Sequence, residues 1–185
     1  MNHEKIVKLT TSSIMIALSV ILHMIAIVRM PQGGELTPCS LLPVCMISII
    51  YGLKWGLGTA FTYSVVQLML GFSQVMSWGL SAKALVISFI FDYILGFTVL
   101  GLAGLFRNKK VWGIGAGIGL AFVLKYIAHV ISGVTAFSVF MPEEFDNVWV
   151  YSLVYSSYLL PEMLLTIGAA YLVCRVPAVA KLKTA

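Results

Sequence analysis

Charged residues are scarce in this sequence: they make up 10% of its 185 residues, whereas hydrophobic residues make up 60%. A soluble domain usually carries roughly a quarter charged residues. The shortage excludes an ordinary soluble domain and predicts an integral membrane protein built as one compact domain. The net charge of +5 does not indicate nucleic-acid binding, because the basic residues cluster in short loops and at the chain ends. Cytoplasmic loops of membrane proteins typically show this distribution.

Cysteine is also rare. The three cysteines, Cys39, Cys45 and Cys174, form no Cys-x-x-Cys pair and lie in or near apolar segments. A thiol in such surroundings behaves as a small hydrophobe. We therefore expect neither a disulfide framework nor a metal site.

Motifs of catalysis and of nucleotide binding are missing. The sequence has no His-Glu-x-x-His, no Gly-x-Ser-x-Gly and no Asp-rich cluster for magnesium. A run of alternating glycines at residues 113–119 resembles a phosphate loop only superficially, because no Gly-Lys-Ser or Gly-Lys-Thr follows it. We expect no catalysis, no cofactor and no use of ATP by this chain alone.

Long apolar runs, by contrast, fill most of the sequence. A membrane-spanning helix needs about 20 predominantly apolar residues. Six segments are predicted to span the bilayer, at residues 6–28, 36–51, 55–72, 84–106, 111–137 and 148–173. The predicted fold class is therefore all-α: an integral membrane bundle of six transmembrane helices in a single domain. The stretch 73–83 is predicted to be an outer loop in which Trp78 lies at the membrane interface.

Basic residues set the predicted orientation. With six spans, both termini lie on one side, and most lysines and arginines fall on that same side. They are Lys5, Lys8, Lys54, Arg107, Lys109, Lys110, Arg175, Lys181 and Lys183. Arg29 and Lys83 fall on the opposite side. The positive-inside rule then places both termini in the cytoplasm of a cell that carries the protein in its plasma membrane.

Asp92 is the one formal charge in the fourth span. A carboxylate inside a membrane is costly, so it usually faces a cavity or a partner, and we weigh a functional role above a structural ion pair. At 1.5 Å per residue, Asp92 lies about 12 Å below the outer surface, His129 at a similar depth and Lys125 about 18 Å down. His129 and Lys125 are four residues apart and share a helix face, which Gly133 continues outward.

The sixth span carries a polar stripe. Tyr151, Tyr155, Tyr158 and Glu162 recur at helical spacing, and each polar tip inside a membrane needs a partner. Together with Asp92, they predict a pocket in the outer half of the membrane that suits a small organic cation, through ion pairing and cation–π contacts. Lys125 is left with two alternatives. It contacts an anionic or hydroxyl group of the ligand, or it pairs with Asp92 or Glu162.

Five sequence blocks, in order and spacing, resemble a known family. They are Met30-Pro31-Gln32-Gly33-Gly34, Tyr51-Gly52-Leu53-Lys54-Trp55-Gly56, Phe91-Asp92-Tyr93-Ile94-Leu95-Gly96-Phe97, Lys125 to Gly133, and Met141-Pro142-Glu143 followed by Tyr151-Ser152-Leu153. They are similar to the thiamine-binding S-components (ThiT, also called YuaJ) of energy-coupling factor transporters. The resemblance covers nearly the whole chain.

The resemblance implies a six-helix S-component that captures thiamine from outside and has no catalytic activity. It implies a lid loop formed by Gln32, Gly33, Gly34 and Glu35. It also implies docking, through small residues including Ser13 and Ala17, onto a membrane scaffold (T) subunit that carries two ATPase (A) subunits. The implied ligand-binding residues are Asp92, Tyr93, Lys125, His129, Gly133, Phe137, Tyr151, Tyr155 and Ser156.

The chain departs from the family's pattern at several positions. Asp92 stands where many relatives have glutamate, Ser156 lies near the place of an expected asparagine, and Glu35 replaces a small polar residue. These departures leave a thiamine precursor or analogue such as hydroxymethylpyrimidine open as the ligand. A self-contained ion-coupled carrier is a further alternative, with a proton relay through Asp92, Lys125, His129 and Glu162. A membrane enzyme that uses Asp92 and His129 as acid and base is disfavoured, since no nucleophile or metal motif accompanies them.

Overall fold

The structure is a computed structural model, and it describes residues 3–109, 112–177 and 179. Within these residues the chain forms six helices. They are α1 (His3–His23), α2 (Leu42–Tyr51), α3 (Leu53–Ser77), α4 (Ala82–Gly104), α5 (Trp112–Thr135) and α6 (Val148–Cys174). Between α1 and α2 lies an antiparallel hairpin of β1 (Val28–Arg29) and β2 (Glu35–Leu36). The predicted basic residues Lys110, Lys181 and Lys183, and position 111 of the fifth predicted span, lie outside the described residues.

Four of the helices are long and apolar enough to cross a bilayer: α1, α4, α5 and α6. Helix α3 has 25 residues but is more polar, and α2 is apolar but only 10 residues long. Large apolar side chains cover the outside of the bundle, such as Ile14 at 61% and Leu164 at 66% exposure. An apolar exterior of this kind suits lipid rather than water. The protein is a multi-pass membrane protein.

Helix α2 forms the centre of the bundle, since all its residues from Pro43 to Ile50 are buried. It packs closely against α3 and α4 at Ser48. The Ser48 hydroxyl donates a hydrogen bond to the carbonyl of Gly101 and accepts one from the Gly104 N–H, at 3.0 Å. A Cβ atom on Gly56 or Gly104 would collide with Ser48. Small residues at these positions therefore let three helices meet at backbone distance.

Two predicted helix limits next to the hairpin differ from the structure. The first predicted span runs to residue 28, but α1 ends at His23 and Val28–Arg29 is a strand. The second predicted span begins at residue 36, but α2 begins at Leu42. The intervening residues fold back because Gly33, at φ +89°, takes up a conformation that favours glycine, and the Met30 N–H bonds to the Gly34 carbonyl.

The predicted loop at residues 73–83 is longer than the loop in the structure, which consists of residues 78–81. Helix α3 continues to Ser77, and α4 already begins at Ala82, where the Ser81 side chain accepts a hydrogen bond from the Ala84 N–H. Hydropathy falls near Ser73 because the helix becomes polar there, while its backbone hydrogen bonding goes on. A helix end is set by a cap, which hydropathy does not report.

Helices α4 and α6 are both irregular near the middle of their length. The segment Phe89–Leu95 of α4 is π-helical, and Val99–Gly104 is a 3₁₀ helix. Helix α6 consists of Val148–Ser156 and Leu159–Cys174, separated by a turn at Ser157 and Tyr158. Pro161 lacks the N–H that a regular helix would use at this turn. Single π-helical turns occur frequently at functional sites, and this one carries Asp92.

Candidate functional site

A cavity of about 110 Å³, measured as space open to the centre of a water molecule, lies between α4, α5, α6 and the hairpin loop. All nine predicted ligand-binding residues and all four predicted lid residues line it. The ligand-binding residues are Asp92, Tyr93, Lys125, His129, Gly133, Tyr151, Tyr155 and Ser156 on the helices and Phe137 just after α5, and the lid residues are Gln32, Gly33, Gly34 and Glu35 in the hairpin loop. Residues far apart in sequence thus meet in one place, and their roles in binding remain predictions.

Asp92 projects into the cavity from the π-helical segment of α4. Its Oδ2 accepts hydrogen bonds from the Ser88 hydroxyl at 2.8 Å and the Ser132 hydroxyl at 2.6 Å. Its Oδ1 lies 3.0 Å from His129 Nδ1. The carboxylate is therefore held by three side chains from two helices. Such hydrogen bonding offsets the cost of keeping a negative charge away from water.

His129 is fixed at one nitrogen and open at the other. Nδ1 contacts Asp92, whereas the buried Nε2 has no hydrogen-bond partner among the described residues. A Cβ built on Gly96 would lie 3.5 Å from His129 Nε2 and 3.7 Å from Lys125 Nζ, so Gly96 keeps this region free. A buried ring nitrogen without a partner is suited to a hydrogen bond with a ligand.

Lys125 is buried one helical turn below His129. Its ammonium lies over the ring of Phe97, 3.8 Å from the ring centroid. Within the described part of the chain, which includes every acidic residue, no carboxylate oxygen lies within 4.0 Å of this ammonium. The predicted alternative of a direct ion pair with Asp92 or Glu162 is therefore wrong, and Lys125 remains open towards the cavity that it lines.

Five aromatic rings form much of the cavity wall. The rings of Tyr151 and Tyr155 lie 5.7 Å apart, and those of Trp78 and Phe137 meet edge to face at 5.4 Å. Tyr158, on the break in α6, approaches the ring of His129 at 6.5 Å. Two of the five rings, Trp78 and Phe137, come from the loop regions that follow α3 and α5. The faces of such rings attract cations.

The hairpin loop closes over the cavity. The Gln32 N–H donates a hydrogen bond of 2.8 Å to the Tyr155 hydroxyl. Gly33 rests on Trp78, and a Cβ on Gly34 would lie 2.7 Å from Tyr158 Cε1. The two glycines therefore let the backbone lie directly on aromatic rings. The role of the loop as a lid remains a prediction.

Glu35 anchors one side of the loop. Its carboxylate lies 3.5 Å from Arg29 Nε and 3.7 Å from His23 Nε2. Burial raises the pKa of the Glu35 carboxyl, and the positive charge of Arg29 opposes this rise. His23 faces this carboxylate on the cavity wall.

Gly133, Ser156 and Tyr93 complete the predicted set. A Cβ on Gly133 would collide with Ser152, so this glycine brings α5 close to α6, where the Ser152 hydroxyl donates to the Val130 carbonyl at 2.9 Å. Ser156 is buried at the end of the first part of α6. Tyr93 reaches back to Gly71 of α3. These residues shape the cavity as much as they line it.

Several residues at the site were not among the predicted ligand-binding residues. Ser88 lies one turn before Asp92, a spacing that signals contact, whereas Ser132 requires knowledge of how α5 packs on α4. Trp78 was predicted to lie at the interface in an outer loop, yet it lines the cavity. The hydroxyls of Thr37 and Ser40 hold Oε1 of Glu162. Only the tertiary fold brings these last residues together.

The predicted docking residues lie elsewhere. Ser13 and Ala17 are exposed on α1, away from the cavity, and the Ser13 hydroxyl bonds to the Leu9 carbonyl of its own helix. Their exposure leaves them accessible to another membrane protein. The docking role remains a prediction.

An apolar helical bundle that encloses a polar cavity beneath a loop defines a membrane protein of the solute-binding transport class. The family model described as "Thiamine transporter protein (Thia_YuaJ)" matches residues 9–181, and the chain belongs to this family. It is 32% identical over 183 residues to a curated relative, "Thiamine transporter ThiT" of Bacillus subtilis (strain 168), covering 89% of each chain. The predicted family resemblance is confirmed.

The fold itself is also known from a solved structure. ThiT from Listeria monocytogenes matches with a TM-score of 0.69, over 99% of this chain and 97% of that one, at 16% sequence identity. The likeness confirms the predicted six-helix S-component fold. Because the family is one of transporters, the hypothesis of a membrane enzyme is excluded.

Proposed function

We propose that this protein is the substrate-binding subunit of an ATP-driven vitamin importer and captures thiamine from outside the cell. The cavity beneath the lid carries this proposal, because it combines a held carboxylate, an open histidine nitrogen and aromatic walls. The named relatives are thiamine transporters, which supports the same ligand. In this proposal the binding site lies in the outer half of the membrane.

The charge of the cavity supports a cationic ligand. Three carboxylates line it, Glu35, Asp92 and Glu162, against the one ammonium of Lys125. Arg29 balances Glu35 at 3.5 Å. With neutral histidines, one negative charge therefore remains in excess. Thiamine carries one fixed positive charge on its thiazolium ring, and low-dielectric surroundings strengthen the attraction between the two.

The two rings of thiamine suit the walls. The aminopyrimidine ring offers hydrogen-bond donors and acceptors to His129 Nε2 and the Asp92 region, and the thiazolium can lie against tyrosine and phenylalanine faces. The ligand then lies under Gly33 and Gly34.

The energy source must come from partners. The chain has no nucleotide-binding loop, so the proposal includes a membrane scaffold (T) subunit with two ATPase (A) subunits, docked on the α1 face with Ser13 and Ala17. In this proposal the protein spans the plasma membrane, and both of its termini lie on the cytoplasmic side. No nucleic acid is involved.

Isothermal titration of the purified protein with thiamine tests the ligand. Saturable binding with a dissociation constant below the micromolar range is expected, with hydroxymethylpyrimidine binding more weakly. Tighter binding of hydroxymethylpyrimidine would reassign the ligand to the precursor. Absence of saturable thiamine binding below the micromolar range would overturn the proposal.

Uptake into vesicles tests the dependence on partners. Vesicles that hold this chain alone are expected to show no concentrative thiamine uptake, and addition of scaffold and ATPases should restore it in the presence of ATP. Concentrative uptake by the chain alone would favour the self-contained ion-coupled carrier instead.

A further inference from the structure

Glu162 lines the cavity from the second part of α6. Only 3% of its surface is exposed. Its Oε1 lies 2.6 Å from the Thr37 hydroxyl and 3.4 Å from that of Ser40, and these hydroxyls lie 2.6 Å from each other. Thr37 and Ser40 are themselves fully buried between the hairpin and α2. One oxygen of this carboxylate is therefore committed to the protein.

The second oxygen of Glu162, Oε2, is not hydrogen-bonded by the described residues. Among the described residues, no hydrogen-bond donor contacts Oε2, and no cationic group lies within 4.0 Å of the carboxylate. Glu162 lines the cavity, and what remains accessible of it faces that space. A buried carboxylate oxygen without a donor needs one, because an unpaired buried charge is costly.

Asp92 differs in this respect. Ser88 and Ser132 occupy its Oδ2, and His129 contacts its Oδ1. Both oxygens of Asp92 are therefore occupied by protein groups, and Oδ1 is the one that holds His129 in place, although the charge of Asp92 still acts through space. Of the two acidic side chains on the cavity-lining helices, Glu162 is the one with an oxygen left for a ligand.

The charge count gives Glu162 a specific role. Glu35, Asp92 and Glu162 carry three formal negative charges against the positive charges of Lys125 and Arg29, so removal of the Glu162 charge leaves these charged groups in balance. Without its charge the cavity would be neutral and would have little preference between a cationic ligand and a neutral one of the same shape. The lysine is too far away to neutralise it by contact, as its ammonium lies on Phe97.

We propose that Glu162 is a specificity-determining ligand-binding residue: its free carboxylate oxygen and its charge at the cavity wall select a cationic ligand over a neutral isostere. The inference rests on the proposed function and names a residue that contributes to the selectivity alongside Asp92. The ligand chemistry recognised is a positively charged heteroaromatic ring or an N–H donor carried by it.

The test compares two probes on three proteins by titration calorimetry. The probes are thiamine and a neutral analogue in which carbon replaces the thiazolium nitrogen. Glu162→Gln keeps the shape and the hydrogen bonds of the hydroxyls but removes the charge. It is expected to weaken thiamine at least about tenfold, the change for losing one charge-assisted contact, while the neutral analogue changes about threefold or less.

Thr37→Val is the matched control. It removes the hydroxyl on the other oxygen of Glu162 and keeps the charge, so it should lower the melting temperature and leave the ratio of the two affinities unchanged. If Glu162→Gln weakened both probes equally, as a purely structural change would, the inference would be wrong. Unchanged thiamine binding by Glu162→Gln would also overturn it.

A second variant covers the case in which Glu162→Gln does not fold. Lys125→Met removes the opposing positive charge, so it should shift the affinity ratio towards thiamine, and an unshifted or reversed ratio would contradict the charge count. Wild-type protein that fails to bind thiamine would overturn the proposed function, and this inference with it. Normal wild-type binding with an unaltered Glu162→Gln ratio would overturn the inference alone.

Discussion

Closure of the lid can be tested by adding one methyl group at Gly34. A Cβ there would lie 2.7 Å from Cε1 and 3.1 Å from Cζ of Tyr158, and 3.3 Å from Met30 Cγ. Carbon atoms pack at about 3.5–4.0 Å, so either the ring or the loop must shift. The backbone of Gly34 does not have a positive φ, and hence Gly34→Ala acts through this collision and not through backbone strain.

The size of the effect follows from the overlap. Overpacking by one methyl group usually costs about 1–3 kcal/mol, which corresponds to roughly a 5- to 150-fold loss of the closed state. Since the lid covers the cavity, Gly34→Ala should raise the dissociation rate of thiamine by about that factor. The association rate should change much less, because an open lid does not block entry.

Stopped-flow fluorescence measures both rates. Gly58→Ala is the matched control, since a Cβ at Gly58 meets nothing within 4 Å and the site is far from the loop. It should leave both rates unchanged. A dissociation rate for Gly34→Ala equal to that of wild type would show that the loop does not close on Tyr158 while the ligand is bound, and the lid account would fail.

Three further predictions concern the acid, its support and the docking face. Asp92→Asn should weaken thiamine by about 10- to 100-fold in calorimetry, and a neutral pyrimidine far less; equal losses would refute the charge pairing. Ser132→Ala removes a 2.6 Å hydrogen bond to Asp92 and should weaken thiamine by about tenfold, whereas Thr135→Ala, whose hydroxyl bonds within its own helix, should not. Ala17→Trp should abolish ATP-dependent uptake with the scaffold and leave thiamine binding by the isolated protein intact; retained uptake would refute the docking face.

Much of the site could be predicted from helical spacing. A bilayer forces polar groups to point inward, so Asp92, His129 and the tyrosines of α6 had to converge once their depths agreed. Asp92, the lone charge of the fourth span, therefore predicted a functional site, which an aspartate on a water-exposed surface would not have done. Their common cavity follows from this constraint.

Other features depend on contacts between elements. Nothing in the local pattern around Phe91 predicts a π-helical turn, because such a turn forms where side-chain packing shifts the backbone register. The bond from Ser132 to Asp92 depends on the rotation of α5 against α4. The place of Trp78 depends on where α3 ends, and that end is set by hydrogen bonding rather than by hydropathy.

Glu162 shows the same limit. Helical spacing places it on the tyrosine stripe, but its partners Thr37 and Ser40 lie more than a hundred residues away in sequence. Only the fold shows that one of its oxygens is occupied and the other is free.

Thiamine is proposed to lie in this cavity, against Trp78 and beneath the lid. Tryptophan fluorescence of the purified protein during a thiamine titration tests this position, with Trp78→Phe measured in parallel and calorimetry on both proteins. We expect a saturable fluorescence change in the wild type at submicromolar thiamine that is largely lost in Trp78→Phe, although calorimetry still detects binding. An undiminished fluorescence change in Trp78→Phe would mean that the ligand binds elsewhere.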